Sequence, residues 1–248
     1  MSYSFKPSPH KSSRQGCTIS AIILHFTAGA TLAGTLRWFA NPKARVSAHY
    51  VVGRDGQVVQ MVQEHEKAWH AGVSSLEGDP RVNSMSIGIE LVNWGELERK
   101  EGQFYCWPEG FNRRYDVAEY GAPEKHFKVV NGEQVVTYWA PYPPGQLEAL
   151  AKICRELMQR YPEITPGRIV GHEEVAPGRK NDPGPALGIE KLRNKLRSLP
   201  DELYAEVSED DPSEEQLAKR QGDRAEPLTW YQRVMARLNE FRRQRQAS

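Results

Sequence analysis

The chain has 248 residues, 39% hydrophobic and 26% charged, a composition that supports one medium-sized catalytic domain with an appendage. Lysine and arginine total 33 against 32 acidic residues, a formal net charge of +1, so no long-range field exists to gather nucleic acid or anionic lipid. No apolar run reaches signal-peptide or membrane-span length, so the expectation is a cytoplasmic protein without a transmembrane segment, with export by a dedicated secretion system or release at lysis as the other routes.

Residues 18–24 are apolar and isoleucine-rich and run into His25 before Thr27, Ala28 and Gly29 break the pattern, which predicts a buried strand with His25 at its end. Leu32, Leu36 and Phe39 then recur at helical spacing until Asn41-Pro42, where proline stops the hydrogen-bond ladder. Residues 48–52 and 57–62 read as two strands around Arg54-Asp55-Gly56, whose Asp-Gly pair suits the positive φ angles of a tight hairpin. From Ser86 to Asn93, Ile87, Ile89 and Leu91 share one strand face and Gly88, Glu90 and Val92 the other, so Glu90 stands out as a charge on an apolar strand. Such a charge must be satisfied, either by a buried partner or by a catalytic role.

Residues 95–143 read as an insertion over the domain's surface, charged and aromatic, with a second hairpin signal at Asn131-Gly132. Its aromatics either stack on sugar faces or form a small packed cluster. Pro144 opens a helix whose stripe of Leu147, Leu150, Ala151, Cys154, Leu157, Met158 and Tyr161 ends before Pro162. A short strand over 168–170 leads into Gly171-His172, and a last helix is expected over 187–196. Beyond residue 198 the composition turns acidic, then forms a basic amphipathic pattern with Trp230, Val234, Leu238 and Phe241 in register. The domains are therefore an N-terminal arm over 1–17, a catalytic domain over 18–198 and a helical extension over 199–248, which either docks on the domain, self-associates or recruits a partner.

Cys17, Cys106 and Cys154 are widely spaced and odd in number, which excludes a dense disulfide framework and a CxxC knuckle. Any bound metal must take His and carboxylate ligands. Catalytic zinc commonly takes three such ligands and leaves a fourth position for water, and His25, His172 and Asp182 offer that set. In the segment GHEEVAPGRKNDPGP, Asp182 is fixed by Pro183, and an extended backbone points Lys180, two residues earlier, the same way. Arg179 and Lys180 otherwise read as a solvated basic pair, and a lone histidine at a strand end is more often a hydrogen-bonded core residue than a ligand.

Five ordered segments, IILHFTAG, SAHYVVGRDG, AWHAGVS, SIGIELVN and GHEEVAPGRKNDPGP, resemble those of the type 2 N-acetylmuramoyl-L-alanine amidases, which share a fold with T7-type lysozyme and the peptidoglycan recognition proteins. The resemblance spans roughly residues 18–196. It implies an α/β fold with a mixed central sheet flanked by helices, one zinc ion held by His25, His172 and Asp182, a catalytic carboxylate at Glu90 and an electrophilic lysine at Lys180. The implied substrate is peptidoglycan or a muropeptide, cut between the lactyl group of N-acetylmuramic acid and L-alanine. His49, Trp69 and His70 lie in the matching segments without being ligands, which leaves them to line the substrate cleft or to support the ligands. A metal-free peptidoglycan-binding module on the same fold and a zinc peptidase of other bond specificity are the competing readings. A recycling enzyme, a phage lytic enzyme and an antibacterial secreted toxin are the roles open to the amidase, and the insertion and extension depart from compact recycling enzymes.

Overall fold

A computed structural model describes residues 3–106 and 113–198; the expected C-terminal helical extension lies outside the described residues. In chain order the elements are β1 (Ser4–Phe5), β2 (Lys11–Ser13), β3 (Ala21–Phe26), α1 (Leu32–Ala40), β4 (Tyr50–Val52), β5 (Val58–Gln60), β6 (Glu66–Ala68), α2 (Val82–Met85) and β7 (Ser86–Leu91). They continue with β8 (Glu96–Lys100), β9 (Gln103–Cys106), α3 (Val117–Tyr120), β10 (Glu124–Val130), β11 (Glu133–Trp139), α4 (Pro144–Arg160), β12 (Ile169–Gly171), α5 (His172–Val175) and α6 (Ile189–Ser198). Among the described residues no helix is long and apolar enough to cross a membrane.

A six-stranded sheet in the order β1-β5-β4-β7-β3-β12 forms the centre. It is mixed, because β4, β7, β3 and β12 run parallel while β5 returns antiparallel to β4. Strands buried on both faces need apolar side chains on both, which explains the unbroken Ala21-Ile22-Ile23-Leu24 run of β3. On one face Ile22, Leu24, Ile87 and Ile89 are fully buried, as are Leu150, Ile153 and Leu157 of α4, which contacts β4. The α4 side chain Gln146 donates to the carbonyls of Val52 and Val92, holding the ends of β4 and β7 together.

The opposite face carries two separate apolar clusters. Leu36 and Phe39 of α1 pack with Val51, Val59 and Met61, while Ile23 packs with Ala71, Val82, Val170 and Val175. The same face carries the neighbouring pair His25 and Glu90. Thr31 caps α1 by accepting from Gly34 N–H, and Asn41 ends it.

The first hairpin departs from the tight turn expected. Of its residues only Gly56 takes a positive φ, 88°, so Asp55 stays in ordinary space and its side chain accepts from Gln57 N–H. At the second hairpin Asn131 and Gly132 both take positive φ, 52° and 82°, as a type I′ turn requires. The difference lies in Asp55, whose side chain stabilises the turn from outside the left-handed region.

Residues 3–17 are not a detached arm. β1 extends the central sheet beside β5, β2 pairs with β6, and Ser12 Oγ accepts from the Trp69 indole. The insertion forms its own antiparallel sheet in the order β10-β11-β8-β9. Its aromatics pack on one another: Trp94, Leu97, Cys106, Tyr115 and Ala140 are buried, with Phe104, Tyr120 and Tyr138 against them. Arg54, on the first hairpin, donates to the carbonyls of Tyr120 and Pro141 and ties this sheet to the domain.

Candidate active site

His25 lies one residue inside the end of β3, His172 opens α5 directly after β12, and Asp182 sits in the loop that follows α5. Because β12 and β3 are parallel neighbours, with Gly171 beside Leu24, both histidines are delivered to the same end of the sheet, at the C-terminal ends of the strands. The loop returns to them through Glu173 N–H, which donates to the Asp182 carbonyl, and through the Tyr142 hydroxyl, which donates to the Pro183 carbonyl. Gly184 completes the turn at a φ of 73°; a Cβ there would lie 2.2 Å from the Trp139 ring.

The result is a tight triangle of donor atoms. His25 Nδ1 lies 3.0 Å from His172 Nδ1, and each lies 2.9 Å from Asp182 Oδ2. The surrounding hydrogen bonds fix which nitrogen each neutral ring leaves bare. Ser86 Oγ–H donates to the Val82 carbonyl at 2.6 Å, so the Ser86 oxygen must accept from His70 Nε2 at 3.3 Å. His70 Nδ1 is then bare and accepts from His25 Nε2–H at 3.0 Å, which leaves His25 Nδ1 bare in turn. His172 donates from Nε2 to the Ala71 carbonyl at 3.0 Å and likewise presents Nδ1 as a lone pair.

In their neutral forms the two imidazoles therefore turn Nδ1 lone pairs towards each other and towards the Asp182 oxygen, an arrangement that a cation satisfies. The edges of tetrahedral zinc coordination with bonds near 2.0 Å are about 3.3 Å, a few tenths of an ångström wider than this triangle. The donor set thus fits a metal ion, and among the described residues it is the group of histidines and acids that can hold one. Electrostatics agree. Burial pushes the His25 and His70 rings well towards the neutral form. Burial opposes the charge of Asp182, but its close contacts with His172 and His25 outweigh it and hold the carboxyl below its usual range.

Glu90 stands on β7 directly beside His25 in the parallel register. Its Oε2 is buried and has no hydrogen-bond partner, and burial, reinforced by Asp182 and opposed by Lys180, raises its carboxyl well above the ordinary value. Glu90 and Lys180 both line a cleft of about 710 Å³ that also includes His25, His172 and Asp182. Lys180 is anchored through its backbone N–H to the Ala176 carbonyl.

The three residues expected to line the cleft have different places. Trp69 and His70 do line it, and His70 also supports His25. His49 does not. It is fully buried, accepts from Gly88 N–H at Nδ1 and contacts the Glu66 carbonyl and Arg14 through Nε2. It is a core residue that joins β4 to β7, and burial holds its pKa at about 3.

Other supporting residues had no signal in the sequence. Ser86 and the Ala71 carbonyl fix ring tautomers, Asn83 Oδ1 accepts from the backbone N–H groups of His70 and Ala71, and Arg179 clamps the carbonyls of Ala71 and Val73. Gly88 makes room for the relay, since a Cβ there would lie 2.4 Å from the His70 ring.

Residues 15–185 match the family model described as N-acetylmuramoyl-L-alanine amidase. Among curated proteins, the chain is 30% identical over 181 residues to the N-acetylmuramoyl-L-alanine amidase AmiD of Escherichia coli K12, covering 70% of this chain and 52% of that protein. It is 33% identical over 149 residues to the 1,6-anhydro-N-acetylmuramyl-L-alanine amidase AmpD of the same organism, covering 60% and 57%. The chain thus spans little more than half the length of these relatives. Among solved structures, AmpD superimposes with a TM-score of 0.53 at 28% identity, covering 78% of this chain and 93% of that one. Escherichia coli AmiD in complex with the substrate anhydro-N-acetylmuramic acid-L-Ala-D-gamma-Glu-L-Lys superimposes with a TM-score of 0.53 at 27% identity, covering 82% and 66%. With its mixed sheet, its flanking helices and a family match over most of the domain, the chain belongs to the N-acetylmuramoyl-L-alanine amidase family.

Proposed function

We propose that the protein is a zinc-dependent amidase that hydrolyses the bond between the lactyl group of N-acetylmuramic acid and L-alanine in peptidoglycan or muropeptides. The observation that carries this reading is the converging lone-pair triangle of His25, His172 and Asp182 beside an unpartnered Glu90 carboxylate oxygen. The family match and the substrate in the AmiD complex supply the bond.

Held by those three residues, zinc supplies a Lewis acid that acidifies water and polarises the scissile carbonyl. Glu90 takes the proton of the attacking water, a task suited to a carboxyl whose burial raises its basicity. Lys180 offers positive charge to the oxygen of the tetrahedral intermediate, and stabilises it more than the neutral carbonyl. As the C–N bond breaks, Glu90 returns the proton to the leaving nitrogen. Trp69 and His70 line the cleft, and His70 holds His25 in the required tautomer.

A metal-free binding module would not need bare Nδ1 atoms aimed at a carboxylate, which favours the enzyme. The test is incubation with intact sacculi and with soluble anhydro-muropeptides, with and without chelator, followed by mass spectrometry. Stem peptides beginning at alanine are expected, with loss of activity on chelation and restoration by zinc. Cleavage elsewhere in the peptide would establish the peptidase reading, and turnover that survives both chelation and His25→Ala would overturn the metal-dependent one.

A further inference from the structure

Beside the catalytic cleft lies a second cavity of about 1030 Å³. The two share Glu96 and the Arg179, Lys180 and Asn181 segment of the ligand loop, so they lie on either side of that segment. Strands of the insertion wall the second cavity. β11 and β8 pair only at Tyr138 with Leu97 and Trp139 with Glu96. From there β8 follows β9 and β11 follows β10, and the two strands part as a fork with no strand between them among the described residues. Open strand edges are where an extended peptide adds main-chain hydrogen bonds.

The charges of the fork do not cancel. Lys128 is paired with Glu96 at 3.2 Å and Lys100 with Glu98 at 2.8 Å. Arg99, Arg179 and Lys180 have no carboxylate partner among the described residues. Arg99 lies over the Tyr138 ring at 5.8 Å and donates to its hydroxyl, and Arg179 is met by neutral carbonyls. Surplus positive charge from Arg99 on β8, and from Arg179 and Lys180 on the adjoining loop, suits the carboxylates of an extended peptide.

We infer that this fork binds the distal, carboxylate-bearing part of the stem peptide, so that the insertion selects substrates with longer stems. The inference rests on the amidase reading, which puts the first residue of the stem at the metal triangle. At about 3.3 Å per extended residue, three further residues carry the peptide about 10 Å onward. The next cavity along that direction, across the shared loop segment, is the fork.

The test uses the whole protein and free L-Ala-D-γ-Glu-L-Lys-D-Ala, with its carboxylates intact or amidated, in titration calorimetry. The free acid is expected to bind more tightly than the amidated peptide. Arg99→Glu should weaken binding of the acid by about five-fold, the scale of a partly exposed charge interaction, while Arg99→Lys retains most of it. In turnover, Arg99→Glu should raise KM for a muramyl tetrapeptide more than for a muramyl dipeptide, with kcat little changed. Equal affinity of wild type and Arg99→Glu with a folded circular dichroism spectrum, or an equal KM change on both substrates, would overturn the inference. So would displacement of the peptide by poly(glycerol phosphate) with higher affinity, which would make the fork a phosphate-polymer site. If the peptide binds as expected but neither muramyl peptide is cleaved at alanine, the amidase reading fails while the fork stands.

Discussion

His25 and Glu90 occupy paired positions on the adjacent parallel strands β3 and β7, so their side chains leave the same face of the sheet as immediate neighbours. A proposed metal ligand and the proposed proton carrier are thereby set side by side by two rigid backbones rather than by a loop. The neighbouring strand positions are apolar and buried, and they fix the register that brings the pair together.

Glu90 Oε2 has no hydrogen-bond partner, whereas the three donor atoms contact one another, which separates its role from theirs. Glu90→Gln should keep full metal content by elemental analysis while kcat falls about 10²- to 10⁴-fold, the usual contribution of a positioned proton carrier. Asp182→Ala should lose metal instead. Full turnover in Glu90→Gln would remove that carboxylate from the chemistry.

The relay from Ser86 through His70 to His25 predicts an effect at a residue that does not itself contact the metal position. His70→Ala should weaken zinc binding about 10- to 100-fold, as loss of a partner behind a ligating histidine does. Competition with a chromogenic chelator measures it. An unchanged zinc affinity would show that His25 keeps its tautomer without His70.

Gly88 is a packing requirement of the same relay. A Cβ at residue 88 would come within 2.4 Å of His70 Cγ, 2.6 Å of Cδ2 and 2.7 Å of Nδ1. Gly88→Ala should therefore cost about 1–3 kcal/mol by overpacking and also weaken zinc binding, since the ring must move off Ser86 and His25. Denaturant melts and zinc titration report the two effects separately.

His49 predicts a pH dependence of stability in the metal-free protein. Its folded pKa is held at about 3 against an ordinary 6.5, so below pH 6.5 the unfolded chain binds a proton there that the folded chain refuses. Stability then rises with pH between about 3 and 6.5 and carries no His49 contribution above that range, with a slope of up to about 1.4 kcal/mol per pH unit for the one group. Urea melts in chelator from pH 4 to 7 should show a shallower dependence for His49→Gln, although that variant is less stable at pH 7. Parallel slopes for the two proteins would count against His49 as a source of the acid sensitivity.

The sequence by itself determined the parts of this protein whose signal is local. The apolar run of β3, the helical stripe of α4, the Asn131-Gly132 turn and the five ordered segments all follow from neighbouring residues, because strand period, helix period and turn chemistry act over a few positions. Tertiary structure decided which residues meet. His49 and His70 stand in equally suggestive segments, yet the pairing of β4 with β7 buries one against Gly88 N–H, while the space above Gly88 delivers the other to His25. Ser86, Asn83 and the Ala71 carbonyl act on the site through hydrogen bonds between segments far apart in the chain, and no local pattern encodes such contacts. The same holds for the fork between β8 and β11: each strand is local, but where they part depends on the partners each has on its other side.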